Sequence, residues 1–460
     1  MNDLLRVRRE IKRVRKQGPQ AIRQVQSERL ARLVDHARAK SPYYARLYRG
    51  IDGPVTDPAR LPVTDKLALM DHFDEWVTDP RVTFDRVEKF TADHDRVGER
   101  FLGDYTVVST SGTTNRRGIF VVDDAALAVN MALSSGLMLS WMGAMGVLKA
   151  LRRGARMAMV VATEGHLLVN VGAKRMQRGR FGEHVRVLSV HRPLDELVAE
   201  LNEFRPSIVM AYASTMAMLT AEQEAGRLHI DPVLIQPAGE AVADVMAERM
   251  AAAFGATVRD TYGCGECPFL SAGCEHGWYH VNSDWVIAEP VDAQGQPTPP
   301  GEPSHTVLLS NLANFTQPIL RYDLGDSVLL RPDSCECGNP LPALRVNGRV
   351  SEILWLPGAH GRRVAITSLM VSTILPHIDG IDLYQIVQER PNRLRLRVTS
   401  AGDAEEARNR GCEALRELAG DQGAADVIVE PDLRPVEQSA GGKYRRIIAW
   451  EGAEANDGAA

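Results

Sequence analysis

Residues 261–280, TYGCGECPFLSAGCEHGWYH, hold three cysteines and two histidines around a glutamate, Glu266. Thiolate and imidazole groups are the usual ligands of structural zinc, which takes four of them in a tetrahedral array. The candidates are Cys264, Cys267, Cys274, His276 and His280, and two more thiols, Cys335 and Cys337, follow in DSCECGNP. Ligand pairs from two separate loops would staple an otherwise loose surface region. Cys264 and Cys267 also form a CxxC, which admits a redox reading.

Residues 109–118, STSGTTNRRG, suggest a different chemistry. A hydroxyl- and glycine-rich loop after a strand offers the backbone N–H and hydroxyl donors that a phosphate cradle needs. It is not the G-x-x-x-x-G-K-[ST] loop, because no lysine stands at the required place. Three shorter stretches carry charge beside glycine: RYDLGD ending in Asp326, NGRVSE with Arg349, and SAGGKYRR with Lys443. Taken singly, each also fits a turn or a solvated surface.

Such groups need a scaffold. From Tyr105 onward, short β-branched runs (YTVVST, RMAMVVAT, HVRVLSV, SIVMAYA, VLIQPAG, TVRDTYG) alternate with helical stretches such as 214–226 and 241–254. That alternation predicts a parallel α/β sheet with ligands at the carboxyl ends of its strands. Residues 27–51 carry a helical pattern, and beyond residue 281 the chain turns β-rich (WVIAEPVD, HTVLLSNL, SVLLRPD). After NGRVSEILWLPG a smaller α+β unit is expected, with Cys412 as a plain buried thiol on its helix.

The 460 residues, 44% hydrophobic and 25% charged, suffice for two or three domains with substantial cores. A net charge of −5 gives no electrostatic footprint for nucleic acid. Six scattered or clustered cysteines without a signal-peptide pattern fit a reducing cytoplasm. Residues 131–148, MALSSGLMLSWMGAMGVL, are uncharged and barely reach spanning length; interrupted by Gly and Ser, they are expected to form a buried helix rather than a stable membrane insertion. In the N-terminal LLRVRREIKRVRKQG, Leu4, Val7, Ile11 and Val14 share one helical face, so a basic helix docked on the body is expected. Membrane-surface binding by that helix would call for a second anchor.

The order of the motifs narrows the reading. TSGTT, Gly239-Glu240, the YGxxE of Tyr262 and Glu266, RYDLGD, a Gly-Arg and a late GGK resemble the adenylate-forming superfamily, which activates carboxylates as acyl-adenylates. The resemblance is nearest to the phenylacetate–coenzyme A ligase branch with its capsule-locus and coenzyme F-adenylating relatives. LPVTDKLALMDHFDEWVTDP and the stretch from VIAEPVD to LGD carry it most clearly, and it spans roughly residues 27–446.

The resemblance implies an α/β fold with a large N-terminal ATP- and acid-binding domain over 1–349, built of parallel α/β sheets and a β-rich subdomain. A hinge over 350–353 and a small mobile α+β lid domain over 354–460 complete it. Thr110, Ser111, Gly112, Thr113 and Thr114 match the phosphate loop, with Thr114 among the catalytic groups. Gly239 and Glu240 match the strip along adenine, and Tyr262 matches the aromatic packed on it. Glu266 matches the Mg2+ ligand, Asp326 the ribose-binding carboxylate, Arg349 the base near ribose and phosphate, and Lys443 the catalytic lysine of the lid. A carboxylate attacking an α-phosphate brings two anions together, so a cation on each side is what the reaction needs. The chain departs from the pattern at Asn115-Arg116-Arg117, where Gly, Pro and Lys are usual, at Gly265 in place of Thr, and at Ser351 in place of the hinge acid.

Some members of that branch hold zinc through a cysteine, a histidine shortly after it and a later CxC. Cys274, His280, Cys335 and Cys337 fit this set, with His276 or Cys267 as substitutes. Tyr212, Ala213, Phe269 and Leu270 are candidates for the acid pocket, and Tyr212 and Phe269 suit an aryl or other planar acid. His166 is either substrate-facing or a satisfied loop histidine. The expected protein is an AMP-forming acid–thiol ligase using ATP, Mg2+, a structural Zn2+ and coenzyme A as co-substrate; a homodimer is compatible with it. An amine, a carrier-protein thiol or another oxyanion could replace coenzyme A or the acid, and a non-catalytic nucleotide-binding homologue is the further alternative.

Overall fold

A computed structural model describes residues 2–110, 118–163, 165–179, 182–349, 352–358, 363–366, 368–372, 374–400, 402–424, 426–437 and 445–450. Strands β1 (Thr106–Ser109) and β2 (Ile119–Val122) form an antiparallel hairpin whose tip is the hydroxyl-rich loop. β3 (Met157–Val161), β4 (Val185–Ser189), β5 (Ile208–Tyr212), β6 (Leu234–Ala238) and the two-residue β7 (Thr257–Val258) form a parallel sheet ordered β4-β3-β5-β6-β7. β3 is buried at every position, as a parallel strand covered on both faces must be. Helices Leu168–Arg178, Leu194–Phe204, Ala213–Glu224 and Asp244–Phe254 supply the crossovers. In Leu194–Phe204 the buried set Leu197, Val198, Leu201 and Phe204 is a helical stripe laid on the sheet.

The β-rich part follows. β8 (Ser271–Gly273) and β9 (Tyr279–Val281) pair with each other; β10 (Val286–Val291), β11 (Thr306–Asn311) and β12 (Ile319–Asp323) form an antiparallel sheet. β13 (Asp326–Leu330) and β14 (Ala343–Arg349) extend the first pair into a sheet ordered β13-β14-β9-β8. A small hairpin of β15 (Leu354–Pro357) and β16 (Arg363–Ile366) leads to the last sheet. There β17 (Leu383–Arg390), β18 (Arg393–Thr399), β19 (Ile428–Pro431) and β20 (Ile447–Ile448) are ordered β19-β18-β17-β20. Helix Ala404–Asp421 covers it with Ala407, Gly411, Cys412, Leu415 and Leu418, and Cys412 is buried there. This unit touches the large sheet through an Arg249–Asp382 ion pair of 2.8 Å and a hydrogen bond from Arg446 to the Ala241 carbonyl.

Two expectations about helices need correction. The pattern over 27–51 is split into Pro19–Lys40 and Pro42–Leu47. Ser41 is extended between them because the residue before proline is disfavoured in helical geometry, and its hydroxyl accepts from the Tyr44 N–H. The uncharged stretch 131–148 lies in a helix, Asp124–Arg152, but that helix is not buried. Its buried residues are only Ala126, Val129, Ala132, Leu133, Gly146 and Ala150. A single helix laid against a body buries one stripe, and here the other side is apolar too.

Candidate functional site

The ends of the hydroxyl-rich loop are pinned to each other. Thr110 N–H donates to the Gly118 carbonyl at 2.9 Å, and Gly118 N–H donates to Thr110 Oγ1 at 2.9 Å. Ser111, Gly112, Thr113 and Thr114 lie outside the described residues, as does Lys443. At the base of the loop a cation is present that the sequence reading did not single out: Lys66 Nζ donates to Thr110 Oγ1 at 3.3 Å. Its placement is built from the chain up. Thr64 bridges to β12, donating to the Arg321 carbonyl at 3.0 Å and accepting from Asp323 N–H at 2.8 Å. Asp65 then caps the helix Lys66–Asp71, accepting from Ala68 N–H at 2.9 Å. The signal was the TDK sequence, a cap residue followed at once by a basic first helical residue.

The loop after β7 runs beneath that threonine. A Cβ on Gly265 would stand 3.1 Å from the Thr110 methyl and 3.3 Å from the Phe120 ring, so glycine suits this position. Cys264 and Cys267 exchange backbone hydrogen bonds of 3.1 Å in both directions, closing a tight turn. Burial drives both thiols up, with the Glu266 charge adding to it: Cys264 well above its ordinary value and Cys267 to about 12. Thiols held protonated in this way, Cys267 buried and Cys264 half-buried, suit neither metal ligation nor redox exchange.

Two carboxylates in this region are each held by a tyrosine. Tyr322 Oη donates to Glu266 Oε1 at 2.8 Å, and Asn311 Nδ2 donates to the Glu266 carbonyl at 2.9 Å. Tyr262 Oη donates to Asp326 Oδ2 at 2.7 Å. Arg349 ends β14 directly opposite Asp326 in the strand register. Gly239 takes the left-handed conformation at φ 73°, which favours glycine. Glu240 turns away to the start of helix Ala213–Glu224, accepting from Ser214 N–H at 2.8 Å and from its hydroxyl at 3.2 Å. That satisfies an orphan helix donor and places negative charge at the positive end of the helix dipole. The Glu266 carboxylate, in the turn that passes Thr110, is an oxygen ligand of the kind a magnesium ion takes.

Away from this region, four soft ligands converge. Cys274 Sγ lies 3.8 Å from Cys335 Sγ, Cys337 Sγ lies 3.1 Å from His280 Nε2, and all four ligand atoms fall within 4.8 Å of one another. His280 Nδ1 pairs with the Leu341 carbonyl at 3.0 Å, which fixes the ring and leaves Nε2 to face the thiols. Burial lowers the imidazole's proton affinity, favouring the neutral ligand form. Three thiols and an imidazole at this spacing fit tetrahedral zinc. Neither Cys267 nor His276 belongs to the group; His276 faces Glu336 at 3.7 Å.

Of the acid-pocket candidates, Tyr212, Leu270 and Phe269 pack in three different apolar groups. Tyr212 is 2% exposed and packs with Ala162, Val190 and Leu167, because the last residue of β5 points into the body. Ala213 is buried as the first residue of the next helix. Leu270 is in the main core, and Phe269 packs beside Val129, Ala132 and Leu133. His166 is buried with Nε2 at 3.1 Å from the Asp93 carbonyl, a satisfied loop histidine.

The parallel α/β sheet, the β-rich part and the small terminal sheet match the fold of the adenylate-forming superfamily. The sequence likeness is to its phenylacetate–coenzyme A ligase branch. No protein-family model matches the chain. Phenylacetate-coenzyme A ligase of Thermus thermophilus is 23% identical over 437 residues, covering 90% of this chain and 86% of that one. 2-Hydroxyisobutyryl-CoA ligase in its postadenylation state with R3-HIB-AMP has a TM-score of 0.67 at 19% identity, covering 94% of this chain and 90% of that one. The same ligase with 2-HIB-AMP and CoA in its thioesterification state has a TM-score of 0.53 at 20% identity, covering 93% and 89%.

Proposed function

We propose that the protein is an AMP-forming ligase that activates a small carboxylic acid with ATP and passes the acyl group to a thiol, coenzyme A. A carboxylate oxygen attacks the α-phosphorus, the bond to the β-phosphate oxygen breaks and pyrophosphate leaves. The thiol sulfur then attacks the acyl carbon, and AMP departs with the electron pair of the cleaved C–O bond. The observation that carries this reading is the meeting of the Thr110 loop with the turn bearing Glu266, where Gly265 would place a Cβ 3.1 Å from Thr110. Lys66 and the loop receive the phosphates, Asp326 the ribose hydroxyls, and Tyr262 the adenine face. Arg349 and Lys443 supply positive charge near the phosphates, following the family pattern. A magnesium ion on Glu266 would neutralise phosphate charge.

Zinc held by Cys274, His280, Cys335 and Cys337 is assigned a structural role, since four protein ligands close its coordination. The acid is small, and an aryl acid is favoured by the family likeness rather than by Tyr212. Transfer to an amine, a carrier-protein thiol or another nucleophile is the second reading, motivated by Asn115-Arg116-Arg117 and Ser351. Acid-dependent exchange of labelled pyrophosphate into ATP tests the adenylation step. Exchange with one or more acids, followed by an acyl-coenzyme A product mass, is the expected result. ATP binding without exchange for any acid in a broad panel would favour the non-catalytic homologue instead.

A further inference from the structure

We propose that the outward side of helix Asp124–Arg152, together with the N-terminal helix Asn2–Lys16, forms a docking surface for an anionic phospholipid bilayer. The large apolar residues left exposed are concentrated here. Met131, Leu139, Met145, Leu148 and Leu151 all face outward from the long helix, with Met145 68% and Leu151 62% exposed. Leu5 is exposed on the N-terminal helix beside it. No charged residue interrupts the long helix between Asn130 and Lys149. A largely apolar side of this length on a body surface, broken only by serines such as Ser135 and Ser140, marks an interaction site.

The geometry favours lying on a bilayer over crossing it. The helix is long and apolar enough to span, with a mean hydropathy of 1.4 over its best window. Yet its inner side is tied to the body throughout. Val129 and Leu133 pack with Val7, Trp141 Nε1 donates to the Gly273 carbonyl at 3.0 Å, and a Cβ on Gly146 would stand 3.0 Å from the Val233 side chain. Gly143, at φ 59° and ψ 178°, also breaks the helical run. The outer side therefore meets a surface as a shallow apolar ridge.

Charge selects the kind of surface. The N-terminal helix, NDLLRVRREIKRVRK, carries seven Lys and Arg against two acids, in a chain whose net charge is −5. Its apolar residues Leu4, Val7 and Ile11 are spent on the contact with the long helix. Arg6, Arg9 and Arg13 lie with Leu5 and Glu10 on its other side, and the three arginines are exposed. Lys149 and Arg152 close the far end of the long helix. A two-fold dimer through this face would set the same basic patch against itself, since such interfaces are isologous. An anionic bilayer offers both an apolar interior for the ridge and opposite charge for the arginines.

The test is co-sedimentation of the full chain with lipid vesicles, either phosphatidylcholine alone or an equimolar mixture with phosphatidylglycerol. The chain should partition to the anionic vesicles about tenfold or more over the neutral ones, and rising salt should release it. A variant with Met145→Ser, Leu148→Ser and Leu151→Ser, and another with Arg6→Gln, Arg9→Gln and Arg13→Gln, should each lose most of that partition. All six positions are outward, so unfolding transitions should match the parent. Equal partition to both vesicle types, partition unchanged in both variants, or no partition at all would overturn the proposal. So would sedimentation velocity showing a dimer that the serine variant dissociates, because a second copy would then cover the ridge.

Discussion

Glu266 accepts a hydrogen bond from the neutral hydroxyl of Tyr322, and Asp326 accepts one from that of Tyr262. A neutral donor orients a carboxylate while leaving its charge available, which a metal ligand requires. Removing one hydrogen bond to a charged group costs about 1.5–3 kcal/mol. Tyr322→Phe should therefore slow pyrophosphate exchange roughly ten- to a hundredfold at low magnesium, with partial recovery as magnesium is raised. A uniform loss at every magnesium concentration would argue that Tyr322 acts on packing alone. Neither this tyrosine nor Lys66 was legible as a functional residue in the sequence, because Tyr322 and Glu266 stand 56 positions apart and only folding makes them partners. The CxxC shows the reverse: a conspicuous spacing whose thiols burial holds protonated. Thiol reagents at pH 8 should leave Cys264 and Cys267 unmodified in the native protein and label both after unfolding, as peptide mass mapping would record.

Element types were legible where periodicity is strong, since β3, β4, β5 and β6 fall within the apolar runs that mark them. Burial was less legible. Residues 131–148 read as core because hydropathy cannot tell which side of an apolar helix has a neighbour, and only one side does. The β8–β9 hairpin shows how little sheet some segments own: its strands have three residues each. Zinc across Cys274, His280, Cys335 and Cys337 would hold this hairpin to the loop before β14, supplying order that so short a sheet lacks. Cys335→Ser with Cys337→Ser should abolish an approximately one-to-one zinc content and lower the unfolding midpoint by several degrees. In the terminal sheet, burial pushes the Asp432 carboxyl up, but hydrogen bonds from Arg434 and Arg397 prevail and hold it well below the usual carboxylate range. A carboxylate depressed in this way adds stability that is fully present above about pH 4 and lost as pH falls through the folded value. Asp432→Asn, which removes the charge from the buried pair while Arg397 keeps Glu437 at 2.9 Å, should destabilise this unit by about 1.5–3 kcal/mol at pH 7. Unfolding followed as a function of pH should show the gap between parent and variant closing in acid.

The small terminal unit is seated on the large sheet by few described polar contacts. Arg249 reaches Asp382 at 2.8 Å while also holding Glu224 at 2.7 Å, and Arg446 donates to the Ala241 carbonyl. Arg249 is about a third exposed, so solvent screening keeps this ion pair weak, near 1 kcal/mol or less. Beside the apolar seat that Leu383 and Val436 make on the large sheet's core, a weak polar latch suits the alternation that the proposed two half-reactions call for, because a strong one would trap a single state. The whole-chain match is better to the postadenylation state of 2-hydroxyisobutyryl-CoA ligase, at a TM-score of 0.67, than to its thioesterification state at 0.53. If the described seating serves the adenylate stage, loosening the latch should weigh on that half-reaction alone. Asp382→Asn removes the charge from one partner while leaving Arg249 its contact with Glu224. Acid-dependent pyrophosphate exchange should fall severalfold, matching a shift in population of up to about 1 kcal/mol, while thiol transfer from preformed acyl-adenylate should hold or rise. Equal losses in both half-reactions would mean that the contact stabilises the fold and does not set the arrangement of the two units.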